Sequence, residues 1–300
     1  MPKICYVEKR FSAASLLLIS QANEIIGRYA QQGYLLTLRQ LYYQFVSKDW
    51  IPNTQQSYSR LGSIINDARL AGEIDWTAIE DRTRNSVANS HWDEPSGIIQ
   101  SAASSYAIDK WENQDTRVEV WVEKEALAGV FERECQLLDV TFLACRGYVS
   151  QSEMWRSARR LKNWEEGGYY TILLHFGDHD PSGIDMSRDI QDRLRLFGAE
   201  TEVKRVALNM DQVQQYEPPP NPAKSTDSRF ESYLREFGDE SWELDALEPS
   251  VLAALIRDNV FEYRDPDLWG ELYTRQEQER EQLKSVAANW DAVVEQLIEE

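Results

Sequence analysis

Cysteine and histidine are both scarce, three of each in 300 residues. Cys5, Cys135 and Cys145 are too few and too oddly numbered for a disulfide framework, and their spacing fits no zinc motif. Long apolar runs are also missing. The longest, residues 13–19, is broken by Ser15 and falls well short of the roughly 20 residues that a membrane-spanning helix needs. The basic residues before it lead to no small-residue cleavage site. These absences predict a soluble, cytoplasmic protein. Basic charge is in deficit as well: 32 Lys and Arg face 51 Asp and Glu, a formal net charge of −19. That argues against a protein that coats nucleic acid through bulk electrostatics.

What the chain does contain is enough to build a core. Apolar residues make up 42% and aromatics 11% of 34.8 kDa, which excludes a disordered or fibrous chain and allows one large domain or two ordinary ones. The charge is unevenly placed: net zero over residues 1–100, −5 over 101–210 and −14 over 211–300. The first two thirds therefore remain compatible with a nucleic-acid partner.

Periodicity divides the chain into parts. In residues 1–85, Leu18, Ala22, Ile25 and Tyr29 mark one helix with Gly33 as its C-cap. Thr37 caps a second, in which Leu38, Leu41, Tyr42 and Phe45 form an apolar stripe, and Tyr58, Leu61, Ile65 and Ala68 mark a third. Three short helices followed by residues 72–76 predict a helix-turn-helix with a wing. Residues 86–114 are polar and aperiodic and predict a linker with one helix. Over 115–215 the pattern changes to alternation: strands at 118–122, 140–145, 169–176 and 202–208, separated by helices at 126–138, 153–164 and 184–197. The fold class is thus α/β, a parallel sheet with helices on both faces. Pro218, Pro219 and Pro220 mark a boundary before an acidic, mostly helical extension over 216–300, in which Glu277, Glu281 and Lys284 are charged.

In parallel sheets, ligands gather at the carboxyl ends of the strands. The first strand ends in Val122-Glu123-Lys124-Glu125-Ala126, the third in Asp178-His179-Asp180-Pro181-Ser182-Gly183. If these strands are neighbours, Glu123, Asp178 and Asp180 converge, and three hard oxygen ligands suit Mg²⁺ or Mn²⁺ shared with a phosphate. Asp180 has a second reading as the cap of the next helix, with Pro181 at its first position. Tyr42 falls on the apolar stripe and belongs to the core. Tyr43 points elsewhere, with Arg39 one turn before it on the same face. A phenol attacks poorly at neutral pH unless a cation favours the phenolate, and Arg39 is placed to do that or to hold a phosphate. Arg156, Arg159, Arg160 and Lys162 form a basic helical surface suited to tracking a DNA backbone. His175 and His179 flank the acidic loop, with His179 read as a lining residue. Asn221, Lys224, Asp227 and Arg229 read as an ordered loop, and Glu243 and Asp245 as a solvated acidic face.

These motifs, with Arg146-Gly147-Tyr148 after the second strand, resemble those of a known family. A Glu closing the first strand and an Asp-x-Asp closing the third resemble the Toprim domain of topoisomerases, primases and nucleases. The Val-Glu-Lys-Glu-Ala, Arg-Gly-Tyr and Asp-x-Asp-Pro-x-Gly elements are similar to those of the topoisomerase VI A subunit and its meiotic double-strand-break relative, over about 60 residues. Arg39-Gln40-Leu41-Tyr42-Tyr43 is similar to the context of that family's nucleophilic tyrosine in a winged-helix domain. The resemblance implies a DNA-cleaving homodimer: Tyr43 attacks the backbone assisted by Arg39, the acids hold Mg²⁺ or Mn²⁺, Glu123 takes part in catalysis, Arg146 contacts DNA, and each site combines two protomers. The chain carries no Walker motif, so strand passage implies a separate ATPase subunit. Two alternatives stand beside this. One is a Toprim nuclease of the plasmid or phage-defence type that hydrolyses DNA with metal-activated water; the other is a non-catalytic DNA-binding or assembly protein.

Overall fold

Local sequence signals set the first elements of the computed structural model, which describes residues 3–79 and 89–298. Three helices open it: α1 (Ala13–Gln31), α2 (Leu38–Ser47) and α3 (Gln55–Leu70). The Thr37 side chain accepts the Gln40 N–H while Gln40 reaches back to the Thr37 N–H, a capping box that starts α2 at one residue. Ile19, Ala22, Ile25 and Tyr29 of α1, Leu41 and Phe45 of α2, and Leu61, Ile65 and Ala68 of α3 share one core. Where a wing is expected, residues 72–76 form a turn, and the described residues show two single bridges, Cys5 to Ala71 antiparallel and Leu36 to Ile79 parallel. Residues 80–88, which include the end of the expected first domain and the start of the expected linker, lie outside the described residues.

The rest of the expected linker is docked. It contains α4 (Pro95–Ser105) and runs into β1 (Thr116–Val122). Along the way the Ile108 N–H and Lys110 Nζ donate to Gln276 at 2.9 and 3.0 Å, and Arg280 donates to the Tyr106 carbonyl at 2.8 Å. After β1 come α5 (Ala128–Leu138), β2 (Thr141–Ala144), α6 (Gln151–Glu166), β3 (Tyr170–Phe176), α7 (Pro181–Leu196), β4 (Glu202–Ala207) and α8 (Met210–Tyr216). The alternation expected from the sequence is thus present element for element.

β1 to β4 form one parallel sheet, in the order β2-β1-β3-β4. Strands buried on both faces read as nearly continuous apolar runs, and their side chains alternate between the faces. Val118, Val120 and Val122 pack with Ile172, Leu174 and Phe176 under α5 and under α10 (Pro249–Phe261). Trp121 and Leu173 face the other way, against Met154, Ala158 and Leu161 of α6 and Met186, Ile190 and Leu194 of α7.

The extension begins with β5 (Asn221–Pro222), α9 (Phe230–Phe237) and β6 (Glu240–Ser241), with β5 and β6 paired antiparallel. A one-turn 3-10 helix, Leu244–Ala246, leads into α10, α11 (Pro266–Ala288) and α12 (Trp290–Ile298). It is less a tail than a brace, because α10 completes the core of the sheet and α11 holds α4. No helix among the described residues is long and apolar enough to cross a membrane, and the three cysteines are free.

Candidate active site at the carboxyl ends of the sheet

Because β1 and β3 are neighbours in register, with Val122 opposite Phe176, the residues that follow them meet. Glu123 Oε2 accepts the Asp178 N–H at 2.9 Å. The turn is tight: a Cβ on Gly183 would lie 2.3 Å from the Asp178 carbonyl and 3.1 Å from Glu123 Oε2, so only glycine lets α7 begin this close to the strand ends. Asp180 does cap α7, accepting from the Gly183 N–H at 2.6 Å and Ser182 Oγ at 2.8 Å through Oδ1. Asp180 Oδ2 and Glu123 Oε1 carry no hydrogen bond among the described residues.

Asp178 is engaged at both oxygens. Oδ1 accepts the Leu244 N–H at 2.8 Å, and Oδ2 faces Lys124 Nζ at 2.8 Å. Lys124 is also bonded to Asp245 Oδ1 at 3.1 Å and to Glu243. Both of those acids continue to Arg39: its Nε donates to Asp245 Oδ2 at 2.9 Å and its Nη2 to Glu243. The expectation of a solvated acidic face at Glu243 and Asp245 is therefore overturned, since Asp245 is 1% exposed. The segment carrying them is pinned across the strand ends by Trp242, which pairs with His179 through both backbone groups. The alternation of Trp242 and Leu244 with the two acids was visible in the sequence; the distant cations that accept them were not.

The electrostatics sort the acids. Burial, reinforced by Asp180, pushes Glu123 above the usual carboxylate range. Burial and the surrounding carboxylates push Asp178 up to about 8, against the pull of Lys124. Burial would also raise Glu243, but Lys124 and Arg39 outweigh it and draw the carboxyl down to about 2. Lys124 itself is held well above its ordinary value: burial disfavours its charge, and Asp245, Asp178 and Glu243 more than compensate.

Tyr43 lies at the edge of this network. Its hydroxyl is 3.5 Å from Arg39 Nη2. The expectation that it points away from the core needs correction, because Tyr42 and Tyr43 are equally buried at 4% and meet edge to face. Both line a polar cavity of about 210 Å³ with Arg39, Tyr58, Asn221 and Glu243, and the difference lies at their tips: the Tyr42 hydroxyl donates to Asn53 at 3.0 Å, whereas the Tyr43 hydroxyl faces Arg39. Burial, with Asp245 and Glu243 nearby, raises the Tyr43 phenol far above its ordinary value, so it is neutral in this arrangement.

Arg205, at the end of β4, has no counterpart in the sequence reading. Its guanidinium donates to the carbonyls of Gly183 at 2.8 Å, Asp178 at 2.7 Å, Gly177 at 3.1 Å and Leu208 at 3.1 Å, and so holds the whole acidic loop from below. Burial lowers it to about 10, which leaves it charged at neutral pH. A basic residue at the carboxyl end of a strand beside the acidic one was the available signal.

The remaining candidates have other partners. His179 does not line the site: its Nδ1 is 2.7 Å from the Tyr233 hydroxyl, within a ring cluster with Phe237 and Trp242, and burial lowers it to about 4. His175 is fully buried, 2.8 Å from Ser187 Oγ, and lowered by burial to about 3. Arg160 makes a two-point bond to Glu119 at 2.6 and 2.9 Å, Arg156 pairs with Glu153 at 3.0 Å, and Lys162 is 3.8 Å from Glu166. Arg159 is exposed. Arg146 pairs with Glu125 and is largely exposed. Asn221 forms part of β5 and accepts from Asn53 at 2.6 Å, while Arg229 joins Asp227 and Asp185, each at 2.8 Å.

Among the described residues, no three histidine, cysteine, aspartate or glutamate side chains converge as a ready metal cage. Mg²⁺, however, is commonly held by one or two carboxylates together with waters and substrate phosphate. The free oxygens of Glu123 and Asp180 fit such a partial set, while Asp178 is committed to Lys124 and Leu244. No protein-family model matches the chain, and no curated protein matches it.

Proposed function

We propose that the protein cleaves the DNA backbone at this site, with Tyr43 as nucleophile, as the resemblance to the topoisomerase VI A subunit implies. One observation carries the reading: the Tyr43 hydroxyl, Arg39 and the strand-end acids belong to one connected polar network. In the reaction, the Tyr43 oxygen bonds to phosphorus as the bond to the deoxyribose oxygen breaks. The phenolic proton leaves to solvent, the departing oxygen takes one up, and one phosphodiester is exchanged for another. Arg39 and Lys124 are the cations that orient and neutralise the phosphate. Glu123 and Asp180 would hold a Mg²⁺ or Mn²⁺ ion, which when bound supplies further neutralisation of the phosphate oxygens; Asp178 and Arg205 fix the loop that carries them. A homodimer and a separate ATPase subunit belong to the same proposal, but the site shared between protomers that the resemblance implies does not, because Tyr43, Arg39 and the acids meet here within one chain.

A second reading, hydrolysis by a Toprim-type nuclease, draws support from the neutral, buried state of Tyr43. One experiment separates the two. Supercoiled plasmid is incubated with Mg²⁺ or Mn²⁺ and wild type, Tyr43→Phe or Asp178→Ala, then run on gels after SDS with and without protease. Protein-linked breaks that require both residues are expected. Breaks that survive Tyr43→Phe but not Asp178→Ala would assign hydrolysis. No breaks in any sample would leave two readings, a DNA-binding or assembly protein and an enzyme that needs its separate subunit.

A further inference from the structure

Glu243 is shared by two cations. Its carboxylate bridges two cations from distant parts of the chain, Nη2 of Arg39 on α2 and Nζ of Lys124 after β1. The Arg39 nitrogen that it occupies is the one lying 3.5 Å from the Tyr43 hydroxyl. Anything that replaced Glu243 on that nitrogen would come to rest beside the phenol.

The two acids on the cation pair differ in freedom. Asp245 sits within the one-turn helix with no exposed side-chain surface, and it holds Nε of Arg39 at 2.9 Å and Nζ of Lys124 at 3.1 Å. Glu243 precedes that turn, keeps 24% of its side chain exposed and borders the 210 Å³ cavity. A glutamate has three side-chain torsions and gains rotamer freedom on release. Its one negative charge on two oxygens matches that of a phosphodiester with two non-bridging oxygens, so an exchange conserves the charge on Arg39 and Lys124 while Asp245 keeps both cations in place.

We propose that Glu243 is an internal competitor for phosphate: its carboxylate closes the Arg39–Lys124 pair in the free protein and turns aside when a nucleic-acid phosphate takes its place next to Tyr43. This rests on the reading of the site as one that acts on DNA. A gate of this kind lowers apparent affinity by the fraction of molecules in which it stands open, and it screens an otherwise accessible cation pair from stray anions.

The test measures binding in EDTA, independently of any cleavage, by the anisotropy of a short labelled DNA duplex. The proteins are wild type, Glu243→Gln, Glu243→Asp and the exposed control Glu240→Gln, which removes the same charge three residues away. A gate closed nine-tenths of the time predicts about tenfold tighter binding by Glu243→Gln, a smaller gain for the shorter aspartate, and none beyond the general charge effect for Glu240→Gln. Adding Arg39→Ala to Glu243→Gln is expected to abolish the gain. Should glutamine impair folding, as seen by thermal melting, the aspartate variant carries the test. Unchanged or weaker binding by the Glu243 variants, or a gain equal to that of Glu240→Gln, would overturn the gate and leave the DNA reading standing. No binding by any of the proteins would overturn the DNA reading, and the gate with it.

Discussion

At the ends of β1 and β3, Glu123 and Asp180 each keep one oxygen free, whereas Glu243 and Asp245, brought in by the C-terminal segment, are bound to Arg39 and Lys124. Burial acts on acids of both sets, yet three of them move in opposite directions: Glu123 and its neighbour Asp178 rise, and Glu243 falls to about 2. Burial alone disfavours charge in every case. What differs is the supply of cations. Among the described residues, Glu243 has two side-chain cations in direct contact, Asp178 has Lys124 alone, and Glu123 has only a backbone N–H. The arrangement favours the anion at Glu243 and disfavours it at Glu123 and Asp178.

The sharpest way to break this contrast is to remove the cation that the two groups share. Lys124→Ala leaves Asp178, Glu243 and Asp245 facing a lost ammonium, and should lower the unfolding free energy by about 3–5 kcal/mol in urea denaturation. A loss below about 1 kcal/mol would show that these acids are not held as charges.

The pH dependence is expected to be smaller, and it has a sign for each group. Asp178, with its folded pKa raised to about 8, keeps its proton in the folded chain across a window where the unfolded chain has released it. Stability therefore declines as pH rises from the ordinary carboxylate range toward about 8. Glu243 is depressed to about 2; its contribution is complete above the ordinary carboxylate range and is lost as pH falls toward that value. In thermal unfolding followed across pH, Asp178→Asn should flatten the decline between the ordinary carboxylate range and about pH 8, and Glu243→Gln the acid-side loss. If both variants keep the wild-type profile, the contrast between the two groups is wrong.

Tyr43→Phe should have the smallest effect on stability, below about 1 kcal/mol, because it removes a hydroxyl with one long contact at 3.5 Å. A loss well above that in denaturant unfolding would assign the hydroxyl to structure rather than chemistry.

The sequence is legible where the determinants are local. Thr37 and Gln40 announce the start of α2, Pro181 after Asp180 announces α7, and the apolar runs at 118–122 and 169–176 announce β1 and β3. Strand adjacency then brings Glu123 to Asp178. The other half of the site is illegible for the opposite reason. Asp245 reads as surface until its contacts with Lys124 and Arg39 are known, and those lie 121 and 206 positions away. Arg205 adjoins Lys204 in one short strand, yet Lys204 reaches Glu262 at the rim while Arg205 turns inward to four carbonyls. The basic helix α6 misleads in a third way: Arg160, which reads as part of a solvent-facing stripe, is drawn to Glu119 beneath Trp121.

The crossing of the strand ends by residues 242–245 also gives the site a history during synthesis. Domains form from the N-terminus as the chain is made, and closing contacts over such separations is slow compared with forming a helix or a neighbouring strand pair. Arg39 and Lys124 are therefore translated well before the acids that cover them, in a part of the chain far less acidic than its last third. Until residues 242–245 are made, Arg39 lacks both of its acidic partners and Lys124 has Asp178 without Glu243 and Asp245.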